Sequence, residues 1–303
     1  MSVNRWMIIL YLILSMAVAI PGASANDRLS VFVSVQPQKY FVQQIGKDHV
    51  DVQVMVPSGA SPATYEPKPR QMVALASTRI YFSIGVAFES VWLGKIVAAN
   101  PALTLVRTDA GISKIPMATH HHDGQEADLE GPSDHGDPAD TGILDPHIWL
   151  SPPLVKQQAS TILNALKAAD PTHSQDYDEN YQAFVAAIDR LDDALKKTFA
   201  GKQGLPFMVF HPAWGYFAQA YGLEQVSIEI EGKNPKPAQL QALITRARDQ
   251  GIRVVFVQPQ FSAKGAELVA REIGGQAVYA DPLALNWLDN LRAVAGKFEA
   301  ALQ

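Results

Sequence analysis

The chain has 303 residues, 48% hydrophobic and 18% charged, with a formal net charge of −5 and no cysteine. Mild acidity without a basic cluster argues against nucleic acid as a partner. The missing cysteines exclude a disulfide framework, a lipid-modified N-terminal cysteine and thiolate zinc sites, so any metal must be held by nitrogen and oxygen.

The first 25 residues read as a secretory signal. Asn4-Arg5 is a short cationic start, Trp6 to Ile20 is almost unbroken apolar sequence, and Ala23-Ser24-Ala25 has the small-x-small pattern of a cleavage site. The apolar run falls short of the ~20 residues of a membrane-spanning helix. Cleavage would remove Arg5 and take the net charge from −5 to −6. A thiol-free exported chain of this kind is expected to be soluble in the periplasm of a Gram-negative bacterium.

Strand-like runs at Leu29 to Val35 and Val50 to Val56 flank a helix at Lys39 to Ile45. Helix Arg70 to Ser77, strand Ile80 to Ile84, helix Glu89 to Ala98 and strand Leu103 to Val106 follow. Such alternation predicts parallel sheet with helices on its faces.

A polar segment, 117–142, then carries His120, His121, His122 and His135 among seven acids. It has little to bury and reads as a disordered, low-affinity metal collector, with a merely solvated loop as the plain alternative. Helix Pro152 to Ala169, with Ser151 at its N-cap, precedes a longer helix from Asp176 to Phe199. There Tyr177, Tyr181, Phe184, Ile188, Leu191, Leu195 and Phe199 recur at helical spacing. It either ties two lobes together or forms a hairpin with its predecessor against a single domain.

After residue 200 the alternation returns, with strands at Phe207 to Phe210, Gln225 to Ile230, Val254 to Val257 and Gln276 to Tyr279. The helices are Trp214 to Tyr221, Pro237 to Gln250, Ala263 to Ile273 and Trp287 to Leu302. The predicted organisation is a signal at 1–25, an N-terminal α/β lobe at 26–170, a linking helix at 171–200 and a C-terminal α/β lobe at 201–303. No sequence repeat relates the lobes.

Three motifs set a metal-ligating side chain beside a proline: Asp145-Pro146-His147, His211-Pro212 and Asp281-Pro282. Two imidazoles and a carboxylate suit a divalent transition metal. His211 and Asp281 follow predicted strands, where parallel α/β sheets bind ligands. Each motif taken singly has a plainer reading, a surface histidine or an Asp-Pro turn; together they predict a site. Glu229, Glu231, Lys233 and Lys236 read as exposed loop charges, and Gln258 and Gln260 as hydrogen-bond partners of a ligand residue.

Several motifs in fixed order carry a family likeness. Val56-Pro57-Ser58-Gly59-Ala60-Ser61-Pro62-Ala63-Thr64-Tyr65-Glu66-Pro67, the His-rich insertion, Asp145-Pro146-His147-Ile148-Trp149, Phe210-His211-Pro212-Ala213-Trp214 and Asp281-Pro282-Leu283 occur in turn. The chain resembles the zinc/manganese (cluster A-I) substrate-binding proteins of bacterial metal-uptake ABC transporters. The resemblance implies two parallel-sheet α/β lobes joined by a long rigid helix, a metal site in the interlobe cleft, and a permease as partner of a monomeric, non-enzymatic protein. It places metal ligands at His147, His211 and Asp281. A histidine at position 211, where manganese-type members carry glutamate, implies Zn²⁺ as cargo, with Mn²⁺ the second choice.

The pattern departs at Ala63, where zinc-type members carry a first ligand histidine. Water, Glu66 or a loop histidine are the candidate replacements for the fourth donor. Two other functions stay open on the residues alone. One is a binding protein for a chelated metal or small organic ligand, with Trp149, Trp214, Tyr65 and Phe88 along the cleft. The other is a periplasmic metal-dependent hydrolase using Glu66 or Glu231 as base.

Overall fold

The structure is a computed structural model and describes residues 28–117, 144–229 and 235–302. The proposed signal, the four histidines of the polar segment, Glu231 and Lys233 lie outside the described residues. The first half alternates β1 (Leu29–Val33), α1 (Gln36–Gly46), β2 (Val50–Val54), α2 (Pro69–Leu75), β3 (Ile80–Ser83), α3 (Ala87–Ala99) and β4 (Thr104–Arg107). The second contains β5 (Pro206–Val209), α6 (Gly215–Tyr221), β6 (Glu224–Ser227), α7 (Pro237–Asp249), β7 (Val254–Val257), α8 (Ala263–Glu272), β8 (Gln276–Tyr279) and α9 (Trp287–Ala301).

Each lobe holds one all-parallel four-stranded sheet, in the orders β2-β1-β3-β4 and β6-β5-β7-β8. Ile80–Ser83 is buried at every position, as expected of a parallel strand covered on both faces. The shared strand order relates the lobes although no sequence repeat does. In both, the opening strand lies inside the sheet and its two neighbours are reached in opposite directions. The crevice this leaves at the strands' carboxyl ends is the usual ligand position of such sheets.

Between the lobes run α4 (Pro152–Ala169) and α5 (Ser174–Thr198), separated by Asp170 and a 3₁₀ turn at Pro171–His173. Ser151 stands at the N-cap with extended backbone, but its side chain makes no capping bond; Pro152 supplies the start. At 1.5 Å per residue α5 is about 38 Å long, and it buries Tyr177, Phe184, Ile188, Leu191 and Leu195. It packs against α4 and α1 and also against α9 of the second lobe. It therefore touches both lobes, and the reading as a hairpin against a single domain is set aside.

One buried cluster runs through this layer from the first sheet to the second. Phe41 of α1 meets Phe184 of α5 at 5.9 Å and Trp287 of α9 at 5.2 Å between ring centroids, and Phe199 meets Phe217 at 5.5 Å. A second cluster fills the far face of the second sheet.

Candidate metal centre

The crevice is a cavity of about 260 Å³ walled in part by Ala63, Gly85, His147, His211, Gln260 and Phe261. His211 lies two residues past β5, and its backbone is clamped by Gln258, whose Nε2 donates to the His211 carbonyl at 2.7 Å while its Oε1 accepts the His211 N–H at 3.3 Å. Phe261 stacks on the His211 ring at 4.9 Å. His147 precedes a 3₁₀ turn at Ile148–Leu150, and its ring lies 5.4 Å from that of His211.

Each imidazole is oriented by a buried carboxylate. His147 Nδ1–H donates to Asp145 Oδ1 at 2.7 Å, and the His147 backbone N–H donates to the same oxygen at 2.8 Å. His211 Nδ1–H donates to Glu229 Oε2. Carboxylate acceptors hold the proton on Nδ1 and leave the Nε2 lone pairs for a metal. Burial pushes the His211 imidazole below its ordinary range, the nearby His147 adds to that, and the Glu229 hydrogen bond opposes it.

Glu229 corrects the sequence reading: it is 6% exposed, not an open loop charge. It reaches His211 because the β5–β6 ladder continues past both strands, with Glu229 N–H donating to the Phe210 carbonyl at 2.9 Å. Asp145, predicted only as a turn residue, is 1% exposed. Gly215 at the start of α6 is what lets it sit there, since a Cβ on that glycine would stand 2.9 Å from Asp145 Oδ2.

Asp281 follows β8 as expected. Its Oδ1 accepts bonds from Gln260 Nε2 and the Leu283 N–H, both at 2.9 Å, and its neighbours Gln260, Pro282 and Leu283 line the cavity while Asp281 itself does not. Ala63 lines the cavity; Glu66 is exposed and does not. Among the described residues no three His, Asp or Glu side chains already converge in metal-holding geometry. Trp149, Trp214 and Phe88 belong to the buried core and Tyr65 packs against it, so none of the four lines the cavity.

The first lobe supplies Gly85, Val86 and Ala87 to the wall. Glu89 holds that turn, accepting from the Gly85 N–H at 2.7 Å, the Ile84 N–H at 3.0 Å and Ser34 Oγ at 2.5 Å. Its carboxyl group is raised above the ordinary range by burial, with these hydrogen bonds opposing. Gly85 has a φ of +85°, and a Cβ there would meet Lys114 Nζ at 2.1 Å.

A family model described as zinc-uptake complex component A, periplasmic (ZnuA), matches residues 31–301. The chain is similar to the high-affinity zinc uptake system protein ZnuA of Bacillus subtilis, 28% identical over 84% of this chain and 78% of the relative. It is also similar to the protein of that name from Yersinia pestis, 26% identical over 92% and 90%. A crystal structure of a ZnuA superposes with a TM-score of 0.82 at 40% identity, covering 91% of this chain and all of that one. A zinc-bound ZnuA lacking residues 138–173 of its own numbering gives 0.81, also at 40% identity, over 91% and 99%.

Proposed function

This chain belongs to the family of periplasmic zinc-uptake components, and from that premise we propose that His147, His211 and Asp281 hold the zinc it carries. It is a substrate-binding component of a zinc-uptake ABC system, not an enzyme, and it works outside the cytoplasm with a membrane permease.

The observation that carries the ligand assignment is the facing pair of imidazoles, 5.4 Å apart, each with Nδ1 bound to a buried carboxylate. Two neighbouring imidazoles with Nδ1 occupied and Nε2 available, with a neutral His211 at physiological pH, suit capture of Zn²⁺. Asp281 has Oδ1 engaged by Gln260 and Leu283, and in this reading its Oδ2 is the oxygen that would bind zinc. Glu66 becomes a fourth ligand only if its exposed loop folds inward; otherwise water or a histidine of the 117–142 segment completes the tetrahedron. We further propose cleavage after Ala25, a monomer in solution and no affinity for nucleic acid.

Calorimetric titration of the metal-stripped mature protein with Zn²⁺ and, separately, Mn²⁺ tests this, beside His147→Ala, His211→Ala and Asp281→Ala. One tight zinc site lost in either histidine variant is expected, with Mn²⁺ weaker. Undiminished affinity in a folded His211→Ala protein would overturn the assignment.

A further inference from the structure

Three cations of the first lobe share one groove. Lys39 of α1 and Lys68 and Arg70 at the start of α2 line it along β2, and among the described residues Asp51 is the one acid on its wall. None of the three cations is in an ion pair among the described residues. A chain whose net charge is −5 thus carries a channel of the opposite sign, and a groove lined by one sign of charge concentrates ions of the other.

β2 presents its edge there. Asp51, Val52, Gln53 and Val54 all line the groove; because alternate residues of a strand belong to opposite faces, four in a row mark the strand's edge rather than one face. β2 ends the sheet order β2-β1-β3-β4 and pairs with β1 alone among the described strands. Gln71 closes the C-terminal end of that edge, its Nε2 donating to the Met55 carbonyl at 2.7 Å, and Tyr65 OH donates to Gln71 Oε1 at 2.7 Å. An open strand edge is a template for an extended peptide.

The groove lies one loop away from the zinc cavity. In the chain between β2 and α2, Ser61, Pro62 and Ala63 line the cavity while Pro57, Tyr65 and Lys68 line the groove. A segment seated in the groove therefore lies against the loop that walls the cavity zinc must leave. The described residues flanking the polar segment, Met117 and Leu144, line the cavity and not the groove.

On the reading that this chain hands zinc to a membrane permease, we propose that the groove receives an acidic, extended extracytoplasmic segment of that permease. Its main chain lies along β2 and extends the sheet, and its carboxylates meet Lys39, Lys68 and Arg70. Docking of this kind takes affinity from main-chain hydrogen bonds and partner choice from side chains, and its charge contribution is screened by salt.

The test is ATP-driven zinc uptake into proteoliposomes carrying the permease and its ATPase, supplied with graded amounts of the zinc-loaded mature chain. A charge-reversed protein, Lys39→Glu with Lys68→Glu and Arg70→Glu, is compared with the wild type. The neutral set Lys39→Gln, Lys68→Gln and Arg70→Gln keeps the comparison if the reversed protein misfolds. The half-saturating protein concentration is expected to rise by roughly tenfold or more on reversal and severalfold on neutralisation, with the zinc affinity of the free protein unchanged. Added salt is expected to raise that concentration for the wild type and to lower it for the reversed protein. Acetylation of Lys39 and Lys68, read by mass spectrometry, is expected to slow when permease vesicles are present.

Equal half-saturating concentrations for all three proteins would overturn the groove and leave zinc delivery standing. So would equal shielding of the lysines by permease-free vesicles of anionic phospholipid, which would assign the cations to the membrane. Shielding already present in the protein alone, and lost when Thr119 to Thr141 are deleted, would assign them to the chain's own acidic segment and likewise overturn the proposal. No zinc uptake from the wild type would overturn delivery and docking together.

Discussion

Asp145 and Glu229 each anchor Nδ1 of a facing histidine from a buried position. Their removal should be felt at the metal without removing a ligand. Asp145→Asn and Glu229→Gln are expected to weaken zinc binding by about 10–100-fold, the usual cost of losing a partner that orients a metal-bound histidine. Calorimetry on the folded variants decides it; wild-type affinity in both would mean that the rings need no such anchors.

His211 also sets a pH dependence. Burial holds its imidazole below the ordinary value, which is about 6.5, so over the interval below that value the unfolded chain binds the extra proton. Stability contributed by neutral His211 is therefore present above the unfolded value and declines as pH falls toward the lowered folded one. Zinc and the proton compete for the same ring, so affinity should be flat above neutrality and fall on acidification. A zinc affinity that rises as pH drops from 7 to 5 would contradict this.

The three proposed ligand positions stand out in the sequence because His-Pro and Asp-Pro motifs beside predicted strands are local signals. Glu229 was not. Its partner lies eighteen positions away in the chain, just past the strand next to β6, and only the pairing of β5 with β6 brings them together.

At the scale of elements, the Gly85 turn between β3 and α3 shapes the cavity wall from the first lobe. Its φ of +85° strains any residue with a side chain, and a Cβ there would also displace Lys114 Nζ and crowd Asp109. Gly85→Ala is expected to cost on the order of 1–3 kcal/mol in denaturant unfolding and to weaken zinc binding; an unaffected midpoint would show that the Glu89 network absorbs the change. The linking helix is a second such element. Leu191→Ala, at a fully buried position of α5, should cost about 2–5 kcal/mol and loosen both lobes, because that helix is common to both.

Strand and helix positions could be predicted to within a few residues from period and turn residues. The ends shifted inward mainly at the strands: Leu29 to Val35 became Leu29–Val33, and Gln225 to Ile230 became Glu224–Ser227. Apolar sequence continues past the last ladder pair in both places, and hydrophobicity alone does not say where strand pairing stops.

For the molecule as a whole, the lobes are bonded as well as joined by helix α5. Trp149 Nε1–H donates to the Pro282 carbonyl at 2.7 Å, and Trp287 Nε1–H donates to the Trp149 carbonyl at 2.6 Å. Tyr216 OH donates to the Asp145 carbonyl at 2.9 Å and accepts the Ile115 N–H at 3.1 Å. These bonds fix the His147 segment against the Asp281 loop, and a continuous core backs them. Zinc loading is accordingly expected to change the radius of gyration little, by small-angle scattering, while raising stability by about 2.7 kcal/mol when free zinc is a hundredfold above its dissociation constant. A large contraction would show that the interlobe bonds break in the empty protein.

By itself the sequence determined the α/β class, the long central helix, the nitrogen and oxygen character of the site and the positions of His147, His211 and Asp281. All of these depend on local periodicity, turn chemistry and residue type. Tertiary structure alone decided which carboxylates orient the histidines, that Asp281 bonds to Gln260 without lining the cavity, and that Ala63 lines it while Glu66 does not. Those facts depend on which strands become neighbours and which atoms lose water, and both are set by packing between segments far apart in the chain.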